Sequence, residues 1–95
     1  MVLDVSKISG IGEYTIRQDK DRTLYLKGEK VFLVQHSNTI EIRSDTKLSA
    51  LLREKYESVM ESRYFGRGGI EIVLAGQLTS DELADLVRLS YNLTA

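Results

Sequence analysis

From Thr23 onward the chain alternates between short apolar runs and polar breaks. Thr23–Lys27 (TLYLK), Val31–Gln35 (VFLVQ) and Thr39–Arg43 (TIEIR) are rich in β-branched, aromatic and leucine residues, the composition of strands. The third has a clean period of two, with Ile40 and Ile42 on one face and Glu41 and Arg43 on the other. Only Gly28-Glu29-Lys30 and His36-Ser37-Asn38 separate these runs. Connections that short force antiparallel pairing, because parallel neighbours need a long crossover. A shorter β-like stretch, Tyr14–Arg17, comes before the polar turn Gln18–Arg22.

The period then lengthens. Leu48, Leu51, Leu52 and Tyr56 recur at helical spacing, which predicts a helix over Asp45–Tyr56 with Ser44 or Asp45 as its N-cap. Glu57–Gly69 reads as a loop and Ile70–Leu74 (IEIVL) as a strand. A final helix is expected over Ser80–Leu93, opened by the capping-box pair Thr79 and Glu82 and apolar at Leu83, Leu86, Val87, Leu89 and Leu93. The order ββββαβα predicts an α+β fold: an antiparallel sheet of about five strands with the helices packed on one face, and a short N-terminal segment that can be helical. Leu51, Ile72 and Leu86 are expected to share its core.

Composition narrows the class. The 95 residues suit a single domain spanning 1–95, and 42% hydrophobic with 28% charged residues is ordinary for a globular chain. A net charge of −1 creates no global field toward nucleic acid or anionic lipid, although basic residues lean toward the first two-thirds and acidic ones toward the end. Cysteine is absent, which excludes disulfides, thiolate metal sites and thiol nucleophiles. Met1 to Gly12 lacks the basic and apolar regions of a signal peptide, and no apolar run approaches the roughly 20 residues of a membrane span. The cytoplasm is the expected location, with no membrane partner.

No catalytic constellation emerges. Asp19 and Asp21 flank Lys20 in a turn, but the further ligands of a calcium loop do not follow. His36 is the only histidine and sits in turn-forming company, so it reads as a surface turn residue rather than a metal ligand or general base. Gly10-Ile11-Gly12 lacks the third glycine of a dinucleotide loop. Gly66-Arg67-Gly68-Gly69 precedes a strand, whereas a phosphate loop follows one, so its glycines read as loop flexibility. No cofactor, metal or catalytic residue is assigned.

The most informative stretch outside the expected core is Arg63-Tyr64-Phe65-Gly66-Arg67. Arginines can bind phosphate bidentately and aromatic rings can stack on bases, so Arg63, Tyr64, Phe65 and Arg67 form a candidate nucleic-acid contact. The competing reading places Tyr64 or Phe65 in the core and leaves the arginines to keep the loop solvated.

Several runs resemble the MmcQ/YjbR-like family: Lys30–Val34, Ile40–Asp45, Leu51–Tyr56, and Leu78–Leu83 followed by Leu89–Leu93. The resemblance covers Thr23 to Leu93. It implies a curved antiparallel sheet packed by helices, no established enzymatic activity, and DNA binding as suggested for such proteins by their shape. The chain departs from the family where members carry a Tyr-His, Asn-Lys and Trp pattern; Arg63, Tyr64, Gly66, Arg67 and Ile70 stand there instead. The resulting expectation is a small non-enzymatic binding domain with nucleic acid as its partner. The alternative is a protein-interaction module, including a homodimer formed through the strand edge Tyr14–Arg17.

Overall fold

A computed structural model describes residues 3–95. The N-terminal expectation is met by one 3₁₀ turn at Val5–Lys7; its part on Met1 and Val2 lies outside the described residues. Strands β1 (Thr15–Asp19), β2 (Arg22–Lys27), β3 (Lys30–Gln35) and β4 (Thr39–Arg43) are followed by helix α1 (Thr46–Lys55). Strands β5 (Val59–Ser62) and β6 (Gly66–Val73) and helix α2 (Ser80–Leu93) complete the order.

Among the described residues, six strands form one antiparallel sheet in the order β1-β2-β3-β4-β6-β5. The expected loop Glu57–Gly69 therefore holds the whole of β5 and the start of β6. Periodicity does not show this because β5 has only four residues and β6 begins with glycines, which are normally depleted in strands.

Both helices cover the same face. Val59, Leu33, Ile40, Ile42, Ile70 and Ile72 point toward them and meet Leu83, Val87 and Tyr91 of α2 in the main core. A bulge at Phe32, between the pairs Tyr25↔Leu33 and Leu26↔Val31, turns Phe32 and Leu33 to this face together. The adjacent Val31 and Val34 turn to the other face.

Helix α2 is fixed at both ends. Thr79 and Glu82 form the expected capping box, while Lys27 Nζ donates to the carbonyls of Tyr91 at 3.1 Å and Thr94 at 2.8 Å. The Tyr91 hydroxyl donates to the Glu13 carbonyl at 2.9 Å, tying the N-terminal segment to the helix.

Helix α1 corrects one core assignment. Asp45 is its N-cap, accepting from Leu48 N–H at 2.8 Å. Its inward stripe is Leu48, Ser49, Leu52 and Tyr56, and Leu51 is 63% exposed. At about 100° per residue, Leu51 lies roughly 120° around the cylinder from the centre of that stripe. Ile72 is fully buried in the shared core, and Leu86 packs against its margin.

Candidate functional site

Among the described residues, no helix covers the second face of the sheet. The sheet covers it with its own hairpin: after β5 the chain turns through Arg63–Phe65 and folds back over β2, β3 and β4. Phe65 packs on Leu24, Leu26, Val31 and Val34 to form a second, smaller core. Gly69 permits the crossing, because a Cβ at that position would run into the Ile42 carbonyl oxygen of the neighbouring strand and lie 2.6 Å from Phe65 Cβ. These glycines do more than loosen a loop. The glycine at 69 gives room for an aromatic ring to lie against the sheet.

Beside this small core lie two acidic residues in register. Ile40-Glu41-Ile42 of β4 pairs with Ile70-Glu71-Ile72 of β6, so Glu41 stands directly opposite Glu71, and both are buried. Like charges facing each other across a ladder destabilise it, and a buried carboxylate needs partners. Both have them. Glu41 Oε1 accepts from Ser62 Oγ–H and from Tyr64 N–H, each at 2.8 Å, and His36 Nε2 lies 2.6 Å from Oε2. An ionised Glu41 requires the proton on that nitrogen. Glu71 accepts from Arg63 through Nε at 3.0 Å and Nη2 at 2.8 Å, and from the Thr39 hydroxyl at 2.8 Å.

Burial, the largest single influence, pushes the Glu41 carboxyl upward. The bonds from His36, Tyr64 and Ser62 together outweigh it and hold the carboxyl below its usual range. The hydrogen bonds to Glu71, reinforced by its charge, hold the Arg63 guanidinium more firmly protonated. The backbone of the hairpin tip is thus anchored to Glu41 and its first arginine to Glu71.

The sequence candidates fall into different roles. Phe65 is the core plug, with the Arg43 guanidinium 4.9 Å from its ring centroid. Tyr64 points outward and is 40% exposed, lying edge-on to Phe65 at 5.0 Å with Arg22 stacked 5.4 Å from its centroid. Arg63 is clamped by Glu71 although its side chain is 72% exposed. Arg67 is exposed and, among the described residues, has no hydrogen-bond or ion-pair partner. Aromatic and basic groups do meet at one tip, but only Tyr64 and Arg67 of the four are unencumbered by the core or by Glu71.

His36 differs from its expected role as a surface turn residue. It is half-buried, holds Glu41, and lines a cleft of about 440 Å³ with Asp19, Lys20, Asp21, Arg22 and Arg63. Asp19 is bound by Arg22 Nη2 at 2.8 Å. The donor atoms of His36, Glu41 and Glu71 lie within 4.8 Å of one another. Every one of those carboxylate oxygens already accepts a hydrogen bond, and Arg63 binds both oxygens of Glu71.

Spacing-based motifs miss Glu41 and Glu71. The signal available in the sequence is the repeated Ile-Glu-Ile triplet, which places an acid between two core residues in both strands.

This arrangement defines an α+β chain whose open sheet face is closed by its own hairpin. No protein-family model matches the sequence, and no curated protein matches it. Its fold is shared with Deinococcus radiodurans protein DR2400, whose crystal structure carries the family-model domain DUF419. The two superpose with a TM-score of 0.73 at 15% identity, over 94% of this chain and 71% of that one. At that identity the likeness establishes the fold alone. Among the described residues, no helix is long and apolar enough to cross a membrane.

Proposed function

We propose that this chain is a non-enzymatic, nucleic-acid-binding domain of the MmcQ/YjbR-like type, acting in the cytoplasm, with the β5–β6 tip as its contact. The observation that carries the reading is Tyr64: an exposed ring presented by a tip whose backbone is bolted to a buried carboxylate. A ring held that way can stack on an unpaired base with little loss of side-chain freedom. Arg67 on the same hairpin, and the part of Arg63 not bound to Glu71, supply the phosphate contacts. The imidazole and carboxylates behind the tip serve its positioning, which is why the reading assigns no reaction to them.

Fluorescence anisotropy with labelled single- and double-stranded DNA at two salt concentrations tests this. Binding should strengthen as salt is lowered, because each phosphate contact releases counterions. Tyr64→Ala leaves the N–H bond to Glu41 in place and should weaken single-strand binding by about five- to a hundredfold, the range for one stacked base. Flat anisotropy at low salt would remove the proposal.

A further inference from the structure

The two edges of the sheet are not equally protected. Strand β5 has four residues, a register shift between Glu61 and Ser62, and α1 packed alongside it. These are ordinary ways of blunting an edge. Strand β1, five residues long, has neither a register shift nor a helix packed alongside it. Its register against β2 runs unbroken from Thr15↔Leu26 to Asp19↔Arg22, it contains no proline, and it is exposed over almost its whole length. Ile16, its one large apolar residue, is 59% exposed.

We propose that β1 pairs with β1 of a second copy of this chain, antiparallel about a two-fold axis at Ile16. The register follows from the hairpin. A two-residue turn closed by the pair Asp19↔Arg22 directs the backbone groups of Thr15, Arg17 and Asp19 toward β2. Those of Tyr14, Ile16 and Gln18 therefore point outward, and among the described residues none of them bonds to backbone on that side. A two-fold axis through an outward-pointing residue brings donors and acceptors into line.

Three axis positions can be compared. Centring on Arg17 opposes two guanidiniums and uses backbone groups already spent on β2. Centring on Gln18 sets Ile16 against Lys20 in the turn. Centring on Ile16 sets Ile16 against Ile16 of the second copy, Tyr14 against Gln18, and Arg17 against Thr15; like charges meet only beyond these pairs, where Glu13 faces Asp19, and Arg22 already holds Asp19 at 2.8 Å. That register forms about six backbone hydrogen bonds.

The side chains agree with this choice. Ile16 pairs with Tyr25, which packs against the main core, so Ile16 lies on the helix-covered face. There it lines a groove of about 380 Å³ with Leu3, Tyr14 and Tyr25 among its walls. Two copies paired at Ile16 join these apolar walls across the axis. The two sheets become one, and both β5–β6 tips lie on the same side of it.

A strand pair this short buries less than the roughly 1,200 Å² of a standard stable interface, so the association is concentration-dependent. Sedimentation equilibrium from about 10 µM to 1 mM tests it, a range suited to a weak complex. The mass should rise from the 10.8 kDa of one chain toward twice that value. Ile16→Lys, which opposes two ammonium groups across the axis, should hold the chain at one copy while leaving its circular dichroism spectrum unchanged.

The absence of cysteine provides a second measurement. Directly opposed, hydrogen-bonded residues have Cα atoms about 5.5 Å apart, within disulfide reach. Ile16→Cys should therefore oxidise to a covalent dimer faster than Arg17→Cys. A wild-type chain that stays at 10.8 kDa at the highest concentration overturns the proposal. So does a dimer indifferent to Ile16→Lys, or cross-linking at position 16 no faster than at 17.

Discussion

The two faces of the sheet are both largely dry, but they are dried by different means. On one, isoleucines from β4 and β6 meet Leu83, Val87 and Tyr91 of α2, and apolar area dominates, joined by the buried Ser90 hydroxyl, which donates to the Phe32 carbonyl and accepts from Arg43 N–H. On the other, a hairpin from the same sheet lays Phe65 over Leu24, Leu26, Val31 and Val34, beside two opposed glutamates satisfied by His36, Arg63, Ser62 and Thr39. The first arrangement tolerates apolar substitutions of similar volume, since area is non-directional. The second depends on particular donors meeting particular oxygens, and one missing partner leaves a buried carboxylate exposed to its full desolvation cost. Its reward is a hairpin tip held in a single position with Tyr64 outside.

The largest effect should therefore fall on the helix-covered face and be blind to chemistry. Ile72→Ala removes fully buried methyl groups from the centre of the core and should cost about 2–5 kcal/mol, measured by urea unfolding. Gly69→Ala should cost less, about 1–3 kcal/mol, by overpacking against Phe65 and the Ile42 carbonyl. Its effect should stay with the hairpin and the strand beside it. Amide chemical shifts should move at Ile42, Arg43, Tyr64, Phe65 and Arg67 and stay put in α2. Shifts spread evenly over both faces would mean that the hairpin crossing is not the separable unit described above.

How much of this was legible in the sequence divides along the same line. Ile40, Ile42, Ile70 and Ile72 announce the helix-covered face by alternation, and the capping box at Thr79 and Glu82 announces α2, because each is a local signal of known period. The antiparallel pairing of β1 to β4 follows from short connections, and the α+β class from the change to helical spacing after them. The opposite face was legible only in part. Phe65 and Tyr64 stand out in the sequence as adjacent aromatics, but which of them plugs the core depends on the hairpin folding across three strands. The opposition of Glu41 and Glu71 depends on β4 pairing with β6 across an intervening helix and strand, a register that no local window contains. His36 reads as a turn residue for a different reason: its partner is only five positions away, but residue type alone does not say that the turn folds the imidazole back onto a carboxylate of the next strand.

A pH titration sharpens the comparison next. Glu41 titrates lower in the folded chain than its unfolded value of about 4.3, so folding favours its charged form. The stability it contributes is present in full above that unfolded value and is lost as pH falls through the lower, folded one. Glu41→Gln keeps the size but brings an NH₂ group into a nest of donors, and should cost about 1–2 kcal/mol at pH 7, near the lower part of the range for an unsatisfied buried group. On acidification the gap between wild type and Glu41→Gln should close below about pH 4. Ile72→Ala should keep its full deficit over the same range. A gap at Glu41 that stays constant down to pH 3 would mean that the carboxylate is not what holds the tip.

The smallest expected effect belongs to Leu51. Pattern alone groups it with Leu48, Leu52 and Tyr56, and a reader of the sequence would assign its truncation the cost of a core leucine. In the folded chain its neighbours on that stripe are turned in and it is turned out, 63% exposed. Leu51→Ala then removes little buried area and places the best helix former at a solvent-facing position, so unfolding free energy should change by no more than about 0.5 kcal/mol. Leu52→Ala, one position further along the same helix, removes a half-buried side chain packed on the main core and should cost measurably more. The pair of variants reads the rotation of α1 directly: equal losses at 51 and 52 would place the helix's apolar stripe between them, and with it the boundary between the covered face and solvent.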